Sequence, residues 1–294
     1  MRTRASDVRT RASDVSALAT VQAMSRACGS GIFLGTTPGG PAFAPPEHCV
    51  LVLGPPRSGK TTSLVVPNIL AANAAVLSTS TKPDVLNATA PARRRAGRCL
   101  LFDPGGSVEP PRGVELAGWT PLDSSRSFDG ALLLARAMTG AARPGADQGE
   151  SAHWTERAGI LVACLLHAAA LEGEPITTVL SAVNRHDPGR ALAVLDEHGA
   201  DGPFDNLSGI VATDAREQSG IWSTASGVLS AYQSRAAVES ALLPPIDPRR
   251  VVENGDTVYV VAGSDRQRQA AALVAGLVHD LRRAAYGTSQ RLTP

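Results

Sequence analysis

The chain is short of aromatics, nearly without lysine, and almost uncharged overall. Tryptophan, tyrosine and phenylalanine make up 4% of the 294 residues. Much of the apolar content is alanine instead, which favours helices. A net charge of +1 removes any global argument for nucleic-acid binding, because nonspecific affinity for a polyanion needs clustered positive charge. Cys28, Cys49, Cys99 and Cys164 are widely spaced and match no zinc pattern. Placed in apolar strands (Cys49, Cys99) and an apolar helix (Cys164), three of them read as small hydrophobes in a reducing, cytoplasmic compartment. Residues 1–30 are charged and lack the apolar stretch of a signal peptide. The longest apolar run, Ala158 to Leu171, is too short to span a bilayer and carries His167, so no transmembrane segment is expected.

What is present is a phosphate-binding pattern. Cys49 to Leu53 is an apolar run that reads as a buried strand. It closes on Gly54-Pro55-Pro56-Arg57-Ser58-Gly59-Lys60-Thr61-Thr62, a complete Walker A loop, and Thr61 to Leu70 reads as the helix behind it. Glycines stand where backbone N–H groups must approach a polyphosphate or where φ must turn positive. Lys60 is placed to reach the β and γ phosphates and Thr61 to bind Mg²⁺, with the helix N-terminus aimed at the charge. The cofactors this predicts are ATP and Mg²⁺. The only lysines are Lys60 and Lys82; a chain that otherwise uses arginine keeps lysine where a compact ammonium suits a phosphate.

Along the chain, Arg2–Val8 repeats as Arg9–Val15. This is too little for a coiled coil and reads as a solvated helix or frayed tail. Residues 29–47 are rich in glycine and proline and read as a linker. Strands are expected at Ala74 to Leu77, Cys99 to Asp103 and Thr257 to Val261, with helical segments between them. Lys82 follows the first of these strands, where open α/β sheets bind ligands. The arginines Arg93, Arg94 and Arg95 read as a solvated helix end. Residues 139–150 read as a mobile loop, and Trp154 reads as a core anchor. The last helix carries Leu273, Leu277 and Leu281 on one side and is expected to stop at Gly287. This order predicts an α/β fold: a parallel P-loop sheet with an inserted all-α domain.

A P-loop enzyme also needs an acidic strand end. Asp196 and Glu197 follow an apolar run, but Asp187, Pro188 and Gly199 cap that segment as a helix. Asp103 ends a strand and is the cofactor-binding candidate, although Asp-Pro-Gly-Gly is also turn chemistry. A third reading is that the acidic strand lies beyond Pro294.

The residues resemble the type IV secretion coupling proteins, the TraG/TraD family of conjugative DNA-transfer ATPases. The resemblance runs through Gly54–Thr61 with Val66-Pro67-Asn68, Ser80-Thr81-Lys82, Phe102-Asp103-Pro104, Trp119-Thr120-Pro121-Leu122, Gly220-Ile221-Trp222-Ser223-Thr224 and Thr257–Val261. It implies a RecA-like domain, a homo-hexamer at the cytoplasmic face of the membrane, and ATP-driven delivery of DNA, single-stranded in the assembled complex, with other type IV secretion proteins as partners. It places Asp103 in a strand-end motif rather than in the Walker B site, whose strand would follow Pro294. On this reading the nucleotide domain is incomplete at its C-terminus. Arg216 becomes a catalytic candidate beside Lys60, acting across a subunit boundary. The implied boundaries are 1–45 for a helical or linker segment, 46–122 with 237–294 for the nucleotide domain, and 123–236 for the insertion. Two alternatives stay open, a nucleotide-binding module without turnover and a small-molecule kinase.

Overall fold

The computed structural model describes residues 31–45, 48–145 and 150–292. The tandem repeat and Cys28 lie outside them. The described chain begins with an antiparallel hairpin, β1 (Ile32–Thr37) and β2 (Gly40–Ala44), where a linker was expected. Its glycines serve the turn, with Gly40 at φ 115°, and Phe33 and Phe43 meet edge-on at 5.7 Å between centroids. Pro41 is tolerated because each strand of a two-stranded ribbon has a free edge.

The strand expected at Cys49 to Leu53 is not formed. This segment joins no ladder, and Leu51 and Leu53 are 82% and 83% exposed. Apolar, β-branched composition fits a residue to a pleated surface but supplies no neighbour to pair with. Cys49, expected in that strand, is therefore exposed. After the Walker loop come a wide helical turn at Thr61–Val65 and α1 (Val66–Ala71), then β3 (Val76–Ser80), α2 (Asp84–Arg93), β4 (Cys99–Phe102) and β5 (Glu115–Leu116). Eight helices follow: α3 (Phe128–Ala142), α4 (Glu150–Glu172), α5 (Ile176–Arg185), α6 (Gly189–Glu197), α7 (Asp201–Val211), α8 (Ala215–Val228), α9 (Arg235–Ser240) and α10 (Pro248–Asn254). The chain closes with β6 (Thr257–Val261) and α11 (Gln267–Leu292). The expected loop at 139–150 is thus helical as far as Ala142, and α11 runs through Gly287, since one glycine costs a helix only about 1 kcal/mol.

The main sheet is wholly parallel, in the order β3-β6-β4-β5. Every residue of β4 and β6 is buried, as expected of strands covered on both faces. Contrary to the reading of a solvated arginine triplet, Arg93 is 3% exposed. Its guanidinium donates to the carbonyls of Ala72, Ala74 and Gly255, and its Nε donates to Thr257 Oγ1 at 2.8 Å. Burial without a carboxylate partner lowers its pKa. One side chain therefore ties the chain entering β3 to the chain entering β6.

The helical layer is built around α4, whose Leu161, Val162, Cys164 and Leu166 are fully buried. Part of it, Ala152–Glu172, is long and apolar enough to cross a membrane by length and composition, but 61% of its apolar window is buried inside the protein. Two tryptophans lock the layer through glycine seats. A Cβ at Gly220 would stand 2.6 Å from the Trp154 ring, and one at Gly276 would stand 2.2 Å from the Trp119 ring. Trp119 also donates to Asp280 Oδ2 at 2.9 Å while Ser124 donates to Oδ1 at 2.6 Å, which joins α11 to the entry of the insertion. Burial raises the Asp280 pKa above the usual carboxylate range, against the pull of those two bonds.

Two outcomes follow. Arg93→Ala leaves buried carbonyls without a donor, and urea denaturation should show a loss of about 3 kcal/mol. Gly276→Ala forces the Trp119 ring aside, and the same measurement should show a loss of about 1–3 kcal/mol.

Candidate functional site

The loop from Gly54 to Thr62 closes on its own lysine. Lys60 Nζ donates to Gly54 O at 2.6 Å, to Pro55 O at 2.8 Å and to Ser58 Oγ at 3.3 Å. Closing so tight a ring needs left-handed backbone at Arg57 (φ 62°) and Gly59 (φ 83°); for Arg57 this conformation costs about 1 kcal/mol. At Gly54 a Cβ would stand 2.9 Å from Ser58 Oγ, so only glycine leaves room for the hydroxyl. Pro55 and Pro56 restrict φ on the outer side of the ring.

The N–H groups of Arg57 and Gly59 donate to no acceptor among the described residues. Free N–H groups beside left-handed residues form an anion-binding concavity. Thr62 Oγ1 donates to Gly59 O at 3.2 Å. The Thr61 hydroxyl, by contrast, has no hydrogen-bond partner among the described residues. Free N–H groups, a lysine ammonium at the centre of the ring and an unengaged hydroxyl fit a polyphosphate with its Mg²⁺: Gly54–Gly59 and Lys60 would hold the phosphates and Thr61 the metal.

The helix behind the loop is present, with a difference in its first turn. Val66 N–H reaches back to Thr61 O, which is π rather than α spacing. Pro67 accounts for this, since it cannot donate to the preceding turn and its ring crowds a carbonyl there; a widened turn relieves both problems. The adjoining Asn68 has a role that residue patterns did not predict. Its amide accepts from Phe33 N at 2.8 Å and donates to Phe33 O at 2.9 Å and to Leu64 O at 2.8 Å. It thereby pairs with the hairpin as a strand residue would, and anchors the Walker helix to β1. Only a polar residue one place after the proline hinted at this.

Asp103 ends β4 and is 5% exposed. Its Oδ1 accepts from Gly105 N at 3.0 Å, and its Oδ2 accepts from Ser107 N and Val108 N, both at 2.6 Å. These are the bonds of a turn carboxylate, and they engage both oxygens within its own loop. Lys82 lies exposed past the end of β3, its N–H donating to Ser80 Oγ at 3.2 Å. Arg216 is exposed in the first turn of α8, capped by Asp214; no hydrogen bond or ion pair among the described residues joins it to the Walker loop. Asp196 and Glu197 end α6, a helix as their caps implied.

A family model described as Type IV secretory system Conjugative DNA transfer matches residues 6–274. No curated protein matches. Among solved structures, the chain is similar to a bacterial conjugative coupling protein, TrwBdeltaN70 in its unbound monoclinic form, with 15% identity and a TM-score of 0.43. The match covers 88% of this chain and 56% of that one, so the chain spans little more than half of that protein's length.

The Asp103 geometry generates one expected outcome. Asp103→Ala removes the acceptor of three buried or half-buried loop N–H groups, and thermal unfolding should report a loss of about 2–3 kcal/mol with no nucleotide present.

Proposed function

Because this chain belongs to the type IV secretory system conjugative DNA transfer family, we propose that its Walker loop binds Mg²⁺-ATP. We further read it as the nucleotide-binding module of a coupling protein that moves DNA or nucleoprotein. The supporting observation is the closed ring of Lys60 on Gly54 and Pro55, with free N–H groups at Arg57 and Gly59 and an unengaged hydroxyl at Thr61. Bound ATP would supply the phosphoanhydride whose cleavage drives movement. Lys60 neutralises phosphate charge, the loop N–H groups orient it, and Thr61 holds the metal. Arg216, exposed and not bonded to the loop among the described residues, is proposed to stabilise charge when presented to a neighbouring copy. On this reading the working form is a homo-hexamer at the cytoplasmic face of the membrane, with DNA and other secretion proteins as partners. The proposed division is 46–122 with 237–294 for nucleotide and 123–236 for the helical insertion.

A second reading has its own support. The run Cys49–Leu53 stands outside the sheet and Asp103 is committed to its turn, which favours a module that binds ATP without turning it over. Steady-state ATP hydrolysis by the purified chain, with and without single-stranded DNA and beside Lys60→Ala, separates the two. Turnover abolished by Lys60→Ala supports the motor. Saturable ATP binding without turnover, lost in Lys60→Ala, supports the binding module. Absence of ATP binding at any Mg²⁺ concentration overturns both.

A further inference from the structure

At the amino ends of β4 and β6, the opposite end of the sheet from Ser80 and Asp103, lies a shallow cleft that is largely open to solvent. It runs between the end of α2, the turn before β5 and the end of α10, and its walls include Arg94, Arg98, Gly113, Glu115 and Asn254. The polar groups there divide unevenly. Glu115 is engaged by Arg98, whose Nε donates to Oε1 at 3.1 Å and whose Nη2 donates to Oε2. That pairing holds the Glu115 carboxyl below the usual range. Asp256, only 1% exposed, accepts from Arg98 N at 2.8 Å through Oδ1, and its Oδ2 is closed off from solvent. Of the acceptors in the cleft, Glu115 is bonded on both oxygens and Asp256 on one, while Asp256 Oδ2 is buried without a partner.

Among the described residues the Arg94 guanidinium has no hydrogen bond or ion pair, the Arg98 Nη1 is left over from its pairing, and the Asn254 amide is unengaged. Arg95 and Arg112, both exposed, flank Arg94 and Gly113 and add positive charge to the rim. Arg94 also has a seat. Gly113 sits at φ 79°, and a Cβ there would stand 2.1 Å from Arg94 Nη1 and 3.0 Å from its Cδ. An arginine that only answers the carbonyl end of a helix needs no such accommodation on another segment. Here the guanidinium lies across the Gly113 turn and lines the cleft.

We propose that this cleft binds a phosphate-bearing ligand, a phosphomonoester or diphosphate group held by the fork of Arg94 together with Arg98 and Asn254, at a site separate from the Walker loop. A planar guanidinium matches two phosphate oxygens at once, and the Arg98 Nη1 left over from its pairing adds a further donor. The phosphate could belong to a soluble molecule or to a lipid headgroup.

The test uses the full chain carrying Lys60→Ala, so that a failure of the Walker-loop reading leaves this one untouched. Inorganic pyrophosphate is titrated by calorimetry and by amide NMR. Saturable binding is expected, with shifts at Gly97 and Gly113. Affinity should fall at least about tenfold in Arg94→Glu, the loss of one charge-assisted bidentate contact, and should also fall in Gly113→Ala, which displaces the guanidinium without changing charge. Unchanged thermal unfolding of Arg94→Glu, an exposed position, separates lost binding from lost folding. Cosedimentation with phosphatidylglycerol vesicles but not phosphatidylcholine vesicles, lost in Arg94→Glu, assigns the phosphate to a lipid; pyrophosphate binding without it assigns a soluble source. The proposal is overturned if neither probe binds, or if Arg94→Glu binds both as tightly as its parent.

Discussion

The sheet closes only when β6 enters between β3 and β4. All five residues of Thr257–Val261 are buried, and the strand pairs in parallel on both edges, from Val76↔Thr257 to Ser80↔Val261 on one side and from Cys99↔Thr257 to Phe102↔Val260 on the other. Its position in sequence, after the whole helical layer, makes the sheet conditional on that layer returning the chain to the right place. Arg93 marks the place. By bonding carbonyls on both sides of the gap it supplies donors that neither connection could find in water-free surroundings. Parallel pairing between segments far apart in sequence carries a large loop-closure cost, which buried ladders and such cross-links offset.

The scarcity of aromatics gives each large ring a junction to hold. Trp119 lies between the sheet side and α11 and rests on Gly276. Trp154 rests on Gly220 where α4 meets α8, and Trp222, 2% exposed, stacks on His186. The glycines of these pairs are defined by the ring each one faces, not by any turn. Gly220 belongs to the Gly-Ile-Trp-Ser-Thr run within α8, and that run reads physically as a packing surface for α4.

The Walker loop has a different character. Its hydrogen bonds join residues close in sequence, from Gly54 to Thr62, and its helix is held to the hairpin by Asn68 rather than to the sheet by a strand. The loop can therefore close from local chemistry alone. Among the described residues neither the acidic nor the arginine candidate is bonded to the loop: Asp103 is engaged in its own turn, and Arg216 is exposed at a helix end.

The local part of this was legible in the residues themselves. The Walker spacing, the strands at Cys99–Phe102 and Thr257–Val261, and the capping that makes Asp196 and Glu197 helical all follow from short-range rules of turn, cap and period, while the strand expected at Ala74 to Leu77 forms a little later, at Val76–Ser80. Positions decided by distant partners were not legible. Arg93 looked solvated because its acceptors at Ala72, Ala74 and Gly255 are remote in sequence. Cys49–Leu53 looked buried because an apolar run does not say whether an edge is available to pair with. A linker composition at residues 29–47 hid a hairpin, since glycine and proline serve turns and linkers alike. The two-residue strand Glu115–Leu116 is too short for any period to reveal. Sequence by itself determined which segments could adopt each backbone conformation, including the left-handed turns of the Walker loop, because φ/ψ preference and turn chemistry act within a few residues. Tertiary structure alone decided which arginine is buried, which strand is central and which glycine faces a ring, because desolvation and packing are set by neighbours that the chain order does not name.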